Sequence, residues 1–141
     1  MKKLLLIFAL VIIGSSCSME GPDTVRFHME FVPVESVEMP LHFTMGGSHE
    51  IRIKYRRPNA CHYFDGFYYE VDGDIIIVAP QTIVLEDAKC IPLETTEPDE
   101  AVLNFICSTA YSYAQYTFKF YKGEDAQGNQ LFEEMKVPVM H

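Results

Sequence analysis

Cys17 stands behind Gly14, Ser15 and Ser16, at the end of an apolar run that starts at Leu4. A thiol in that setting is a candidate for lipid transfer. Small residues before it fit a signal peptidase, and the sulfur takes diacylglycerol. Lys2 and Lys3 precede the apolar run, which gives the charge, apolar and small-residue order of a secretory leader. The run is shorter than the about 20 apolar residues that a spanning helix needs. We therefore expect a lipoprotein signal peptide over residues 1–16, lipid attachment at Cys17, and a polar tether over 17–23 containing Gly21 and Pro22. The alternative is an ordinary leader cut nearby, with Cys17 left as a free or bridged cysteine.

A second set of chemistry-bearing residues is Arg52, Lys54, Arg56 and Arg57, alternating with Ile51, Ile53 and Tyr55. Side chains alternate across a strand, so Arg52, Lys54 and Arg56 share one face. Two readings stand. One is an anion site for a sulfated or carboxylated glycan or an acidic partner. The other is a charged solvent face, paired laterally with Glu30, Glu70 or Glu133 on neighbouring strands.

Three cysteines remain after Cys17. An exported chain can oxidise them. Cys61 opens one strand segment and Cys90 ends a loop after another, whereas Cys107 shares apolar parity with Leu103 and Phe105. We expect a Cys61–Cys90 disulfide and a buried, reduced Cys107.

Other constellations are weaker. His28 and His42 would come opposite each other if consecutive strands paired around Glu35, but zinc wants a third ligand that the sequence does not offer, and no metal is expected. "EVDGD" and "GEDAQGN" contain oxygen ligands and glycine without calcium-loop spacing, so turn chemistry is the cheaper account. Eight Tyr and ten Phe occur with no Trp. Tyr68, Tyr111 and Tyr113 are candidates for exposed rings, either as a sugar platform or as sandwich caps and subunit contacts. There is no nucleophile elbow, zinc-protease pair or phosphate loop, and no catalytic residue or cofactor is expected.

The elements that would position these residues read as strands. Period-two alternation recurs in "TVRFHMEFVPV", "VEMPLHFTM", "HEIRIKYRR", "AVLNFICS" and "QYTFKFYKG". In the first, Val25, Phe27, Met29 and Phe31 form the apolar row, opposite Arg26, His28 and Glu30 on the expected wet face. In the second, Met39, Leu41, Phe43 and Met45 do so, with Pro40 marking an edge or bulge. In "CHYFDGFYYEV", Gly66 marks an expected bulge, with Phe67, Tyr69 and Val71 expected to face the core beyond it. Asp72-Gly73 signals a hairpin into "IIIVAPQTIVL", which is apolar on both faces like a covered strand. "QLFEEMKVPV" returns as the last strand, with Pro138 suggesting an edge. The expected fold is all-β, an immunoglobulin-like sandwich of about seven or eight strands over residues 24–141, with a small barrel as competitor.

The chain has 11 basic and 20 acidic residues. Without the leader's two lysines, nine basic residues face 20 acidic ones, a net −11. That balance argues against nucleic acid and against a polybasic grip on anionic lipid.

The stretches "GGSHEIRIKYRRPNACHYFDGFYYEV" and "YTFKFYKGEDAQGNQLFEEMKVPV" resemble small β-sandwich lipoproteins of gut Bacteroidota, and are similar to the C-terminal domain of NigD-like proteins. The resemblance implies an immunoglobulin-like domain tethered to the cell envelope and offers no catalytic residues to carry over. The expected function is a non-catalytic interaction or accessory module for protein or glycan, lipid-anchored to the outer membrane and facing periplasm or cell surface. Its partners would be the membrane through Cys17, an envelope protein or anionic glycan, and a second copy in a homodimer. The alternative is a hydrolase of envelope or dietary glycan with a loop-built site.

Overall fold

In a computed structural model, the structure describes residues 21, 24–86, 88–94 and 97–141. The predicted leader, Cys17 and the tether lie outside the described residues, apart from Gly21.

All regular structure among the described residues is strand. The elements are β1 (Phe27–Phe31), β2 (Val34–Glu38), β3 (Phe43–Thr44), β4 (Ser48–Tyr55), β5 (His62–Asp72), β6 (Ile75–Leu85), β7 (Asp99–Ile106), β8 (Gln115–Glu124) and β9 (Gln130–Met140). They form a six-stranded and a three-stranded sheet, the latter ordered β2-β4-β7. The expected sandwich is present, with nine strands.

Strand β6 organises the larger sheet. Residues 75–84 pair antiparallel with β5. On the other side it changes partner: residues 81–85 pair antiparallel with β1 and residues 75–78 pair parallel with β8. Pro80 sits at that junction. A proline inside a sheet removes a ladder donor. Here the Pro80 carbonyl turns toward the end of β1, accepting from Val32 N at 2.9 Å. The missing N–H faces the same side, where one partner strand ends and the next begins. Beyond β8 the sheet continues through β9 to the short β3.

Alternation puts one row of each inner strand into the core. Ile51, Ile53 and Tyr55 of β4 are buried, as are Ile76 and Val78 of β6 and Tyr116, Phe118 and Phe120 of β8. Phe43, Phe105 and Phe118 meet with ring centroids 4.6–5.8 Å apart. Each such side chain contributes roughly 1.5–3 kcal/mol of burial. Cys107 belongs to the same cluster and is free, while Cys61 and Cys90 are bridged.

Expectations for the N-terminal strands are corrected. The strand predicted through "VEMPLHFTM" is broken: β2 ends at Glu38, Leu41 points into solvent, and only Phe43–Thr44 rejoin a sheet. Pro40 lies in that break, lacking the donor a continuous ladder requires. Strands β1 and β2 belong to different sheets, so His28 and His42 never face each other. The apolar row of β1 lies on the outer face. Its polar residues His28 and Glu30 stand opposite Val84 and Thr82, which are buried on the inner face. Phe27, Met29 and Phe31 therefore point outward and are exposed.

Gly66 does make a bulge. The β5–β6 register shifts between Phe64 and Gly66, where φ is +130°. Gly73 closes the hairpin with φ +63°, a conformation that suits glycine. Beyond the bulge, Phe67, Tyr69 and Val71 stand opposite Pro80, Val78 and Ile76 on the inner side, as expected. The outcome differs in burial. Tyr69 and Val71 are 42% and 56% exposed, so the core they were expected to join stops short of them.

Candidate functional site

The bulge at Gly66 sets what the outer face of the larger sheet presents. Tyr63 faces outward before it; after the extra residue, Tyr68 and Glu70 do so, opposite Ala79 and Ile77. On the far side of β6, Phe31 ends β1 and Tyr121 belongs to β8, next to Phe132 of β9. These rings surround the place where β6 changes partner. The result is a groove of about 180 Å³, floored by Ile77 and Ala79 and walled by Phe31, Tyr68, Tyr121 and Phe132.

The rings form a connected wall. Phe31 lies 5.2 Å from Tyr68 and 6.0 Å from Tyr121, and Tyr121 lies 6.2 Å from Phe132. Glu70 and Gln130 supply the polar rim. The Tyr68 hydroxyl donates to Glu70, and this bond raises the tyrosine pKa above its ordinary value of 10.0. Burial raises that of Tyr121. Both phenols are neutral at physiological pH, and that of Tyr68 donates to the Glu70 carboxylate. Aromatic walls with a few placed polar groups are the usual make-up of a small-molecule site. The volume is below the about 300 Å³ at which drug-sized pockets begin, and suits a single ring.

Sequence reasoning singled out Tyr68 alone from this wall. Phe31, Tyr121 and Phe132 come from strands far apart in the chain. The readable signal was the bulge glycine together with the period-two rows on either side of it.

A second cleft lies on the inner side, along the edge where Tyr69 and Val71 emerge. Tyr111 and Tyr113 stack there at 5.3 Å and 16°, near Ile106. Tyr111 is exposed and Tyr113 half-buried, so the two tyrosines sit apart from Tyr68.

The basic row is a paired solvent face. Arg52 reaches Glu50 and Glu100, both at 3.2 Å. Lys54 lies 4.0 Å from Glu38 and from Glu100. Arg56 pairs with Glu35, and Arg57 with Asp99 at 2.8 Å. Lateral pairing was one of the two readings, but its partners are these residues, not Glu30, Glu70 or Glu133. An anion at this row meets cations that already hold carboxylates.

Glu30 pairs instead with histidines. His28 Nε2 lies 2.8 Å from one of its oxygens and His62 Nε2 3.1 Å from the other, while His28 Nδ1 meets Glu86 at 3.1 Å. This is a chain of alternating imidazoles and carboxylates. Among the described residues no group of three or more His, Cys, Asp or Glu is arranged to hold a metal ion. His42 is exposed, and His49 Nε2 accepts from Thr44 N at 2.9 Å. In "GEDAQGN", Asp125 accepts from the amides of Gln127 and Asn129, both at 2.9 Å, so its carboxylate builds the turn.

Neither a protein family, nor a curated protein, nor a solved structure matches the chain.

Proposed function

We propose that the chain is a cell-envelope lipoprotein, anchored to the outer membrane through Cys17, that acts as a non-catalytic glycan-binding module. The carrying observation is the aromatic groove on the outer face of the larger sheet. A sugar ring offers apolar C–H faces and a girdle of hydroxyls. The first pack against Phe31, Tyr68, Tyr121 and Phe132, and the second meet Glu70 and Gln130. The leader and Cys17 support an envelope location. The resemblance of residues 46–71 and 116–139 to the C-terminal domain of NigD-like proteins supports an accessory role.

The test is a glycan array followed by titration calorimetry on the soluble form that begins after Gly21, which contains every strand, the core and the disulfide. The double variant Phe31→Ala/Phe132→Ala should weaken saccharide binding by at least about tenfold. A parent protein that binds no saccharide at about 1 mM overturns the reading. Mass spectrometry of the mature protein checks the anchor: a diacylglycerol mass at Cys17 is expected, and an unmodified Cys17 sinks it.

A further inference from the structure

Strand β5 pairs only with β6, so its second edge is open among the described residues. Which residues face that edge follows from Pro80. Its carbonyl bonds to Val32, on the side of β6 away from β5. Phe67 and Pro80 are therefore a non-hydrogen-bonded pair, and alternation extends this to Tyr69–Val78 and Val71–Ile76. The backbone N–H and C=O groups of Phe67, Tyr69 and Val71 point outward, away from the sheet.

The side chains along the same stretch fall into two rows. Phe67, Tyr69 and Val71 lie on the inner side, next to the cleft of about 170 Å³ formed with Ile106, Tyr111 and Tyr113. Tyr68, Glu70 and Asp72 lie on the outer side. No salt bridge of the described residues involves Glu70 or Asp72, and β5 carries no lysine or arginine. The cations of β4 are committed to carboxylates of their own sheet. The edge is acidic on one side and apolar on the other, with free ladder groups between.

We propose that this edge accepts an extended peptide strand bearing Lys or Arg on alternate positions and apolar residues between them. Main-chain bonds form to Phe67, Tyr69 and Val71, apolar side chains enter the cleft beside Tyr111, and basic ones meet Glu70 and Asp72. Charge selects this occupant over a second copy of the chain, since two β5 edges would bring carboxylates of like sign together.

The probe is a synthetic octapeptide of alternating lysine and valine, compared with alternating glutamate and valine and with a scrambled lysine–valine sequence. On the unmodified soluble form, the lysine–valine peptide should slow amide exchange at Phe67, Tyr69 and Val71. It should also bind at least about tenfold tighter than either control, and more weakly as salt rises. Asp72→Lys should reduce its affinity severalfold. Tyr69→Pro removes an edge N–H and no β5–β6 bond, and should abolish binding. Equal binding of the glutamate peptide, or binding without slowed exchange at these amides, overturns the proposal. So does an unliganded dimer with the three amides already protected, which would make the occupant a second copy. No binding at all would leave Glu70 and Asp72 as charges that merely blunt an exposed edge, and would equally overturn it.

Discussion

Glu30 on β1 reaches across β6 to His62 on β5, with Oε2 3.1 Å from the imidazole Nε2. The two strands flank β6 on opposite sides, so this contact straps three strands together on the inner face. Thr82, between them, donates to the Glu30 carbonyl at 3.2 Å. The other oxygen of Glu30 holds His28.

This strap sets a pH dependence. Hydrogen bonds from His28 and His62 lower the Glu30 pKa below its ordinary 4.5, and those to Glu30 and Glu86 raise the His28 pKa above 6.5. The glutamate's contribution is complete above pH 4.5 and is lost as pH falls through its lowered value. The histidine's is complete below pH 6.5 and is lost as pH rises through its raised value. Their joint contribution is greatest between pH 4.5 and 6.5. Urea midpoints measured from pH 3.5 to 8.5 should peak there, and Glu30→Gln should flatten the peak. An unchanged profile in the variant would show that the strap does not couple to folding.

The outward row of β1 predicts a contrast between two phenylalanines. Phe118 is fully buried against Phe43, Phe105 and Phe120. Phe118→Ala should cost about 3–5 kcal/mol. Phe27 is 58% exposed, and Phe27→Ser should stay within about 0.5 kcal/mol. Denaturant unfolding of both variants checks the assignment, and a large loss at Phe27 would mean that β1 faces the other way.

That contrast also marks what the sequence made legible. Alternation in β4 and β8 identified the core-facing rows of both strands, because in each the row opposite contains a charged residue. In β1 alternation separated the same two rows, but period two does not say which face another sheet covers. His28 and Glu30 turn inward because a buried partner, His62, waits there from a segment more than 30 residues away. The groove was hidden for a related reason: its walls come from β1, β5, β8 and β9, whose adjacency depends on the partner change along β6. The bulge, the hairpin at Gly73 and the Asp125 turn were readable because local backbone geometry alone demands those residues.

The disulfide and the free thiol should separate chemically. Cys61–Cys90 spans 29 residues, and replacing both by serine should cost about 2–4 kcal/mol. Cys107 is 1% exposed. It should react with a thiol reagent only after unfolding, giving no signal in native protein and one equivalent in denaturant without reductant from the form that begins after Gly21. Early reaction of Cys107 would contradict its place in the core.

The basic residues predict unequal consequences for chemically similar changes. Arg52 is exposed, Lys54 is half-buried, and both pair with exposed glutamates, so Arg52→Ser or Lys54→Ser should change stability by less than about 1 kcal/mol. Arg57 differs. Its side chain is 26% exposed, it bonds Asp99 at the start of β7, and its Nη1 donates to the His62 carbonyl at 3.1 Å. It ties the small sheet to the first residue of β5, beside the Cys61 bridge. The bond to Asp99 raises its pKa further above its already high ordinary value, so it stays charged throughout the working range. Arg57→Ala leaves a backbone carbonyl and a carboxylate without their donor and should cost about 1–3 kcal/mol. Arg57→Lys keeps the charge but loses the planar fork that reaches both acceptors, and should recover only part of the loss. Thermal unfolding of the four variants ranks them. If Arg52→Ser destabilised as much as Arg57→Ala, Arg57 would be one more surface charge rather than a link between the two sheets.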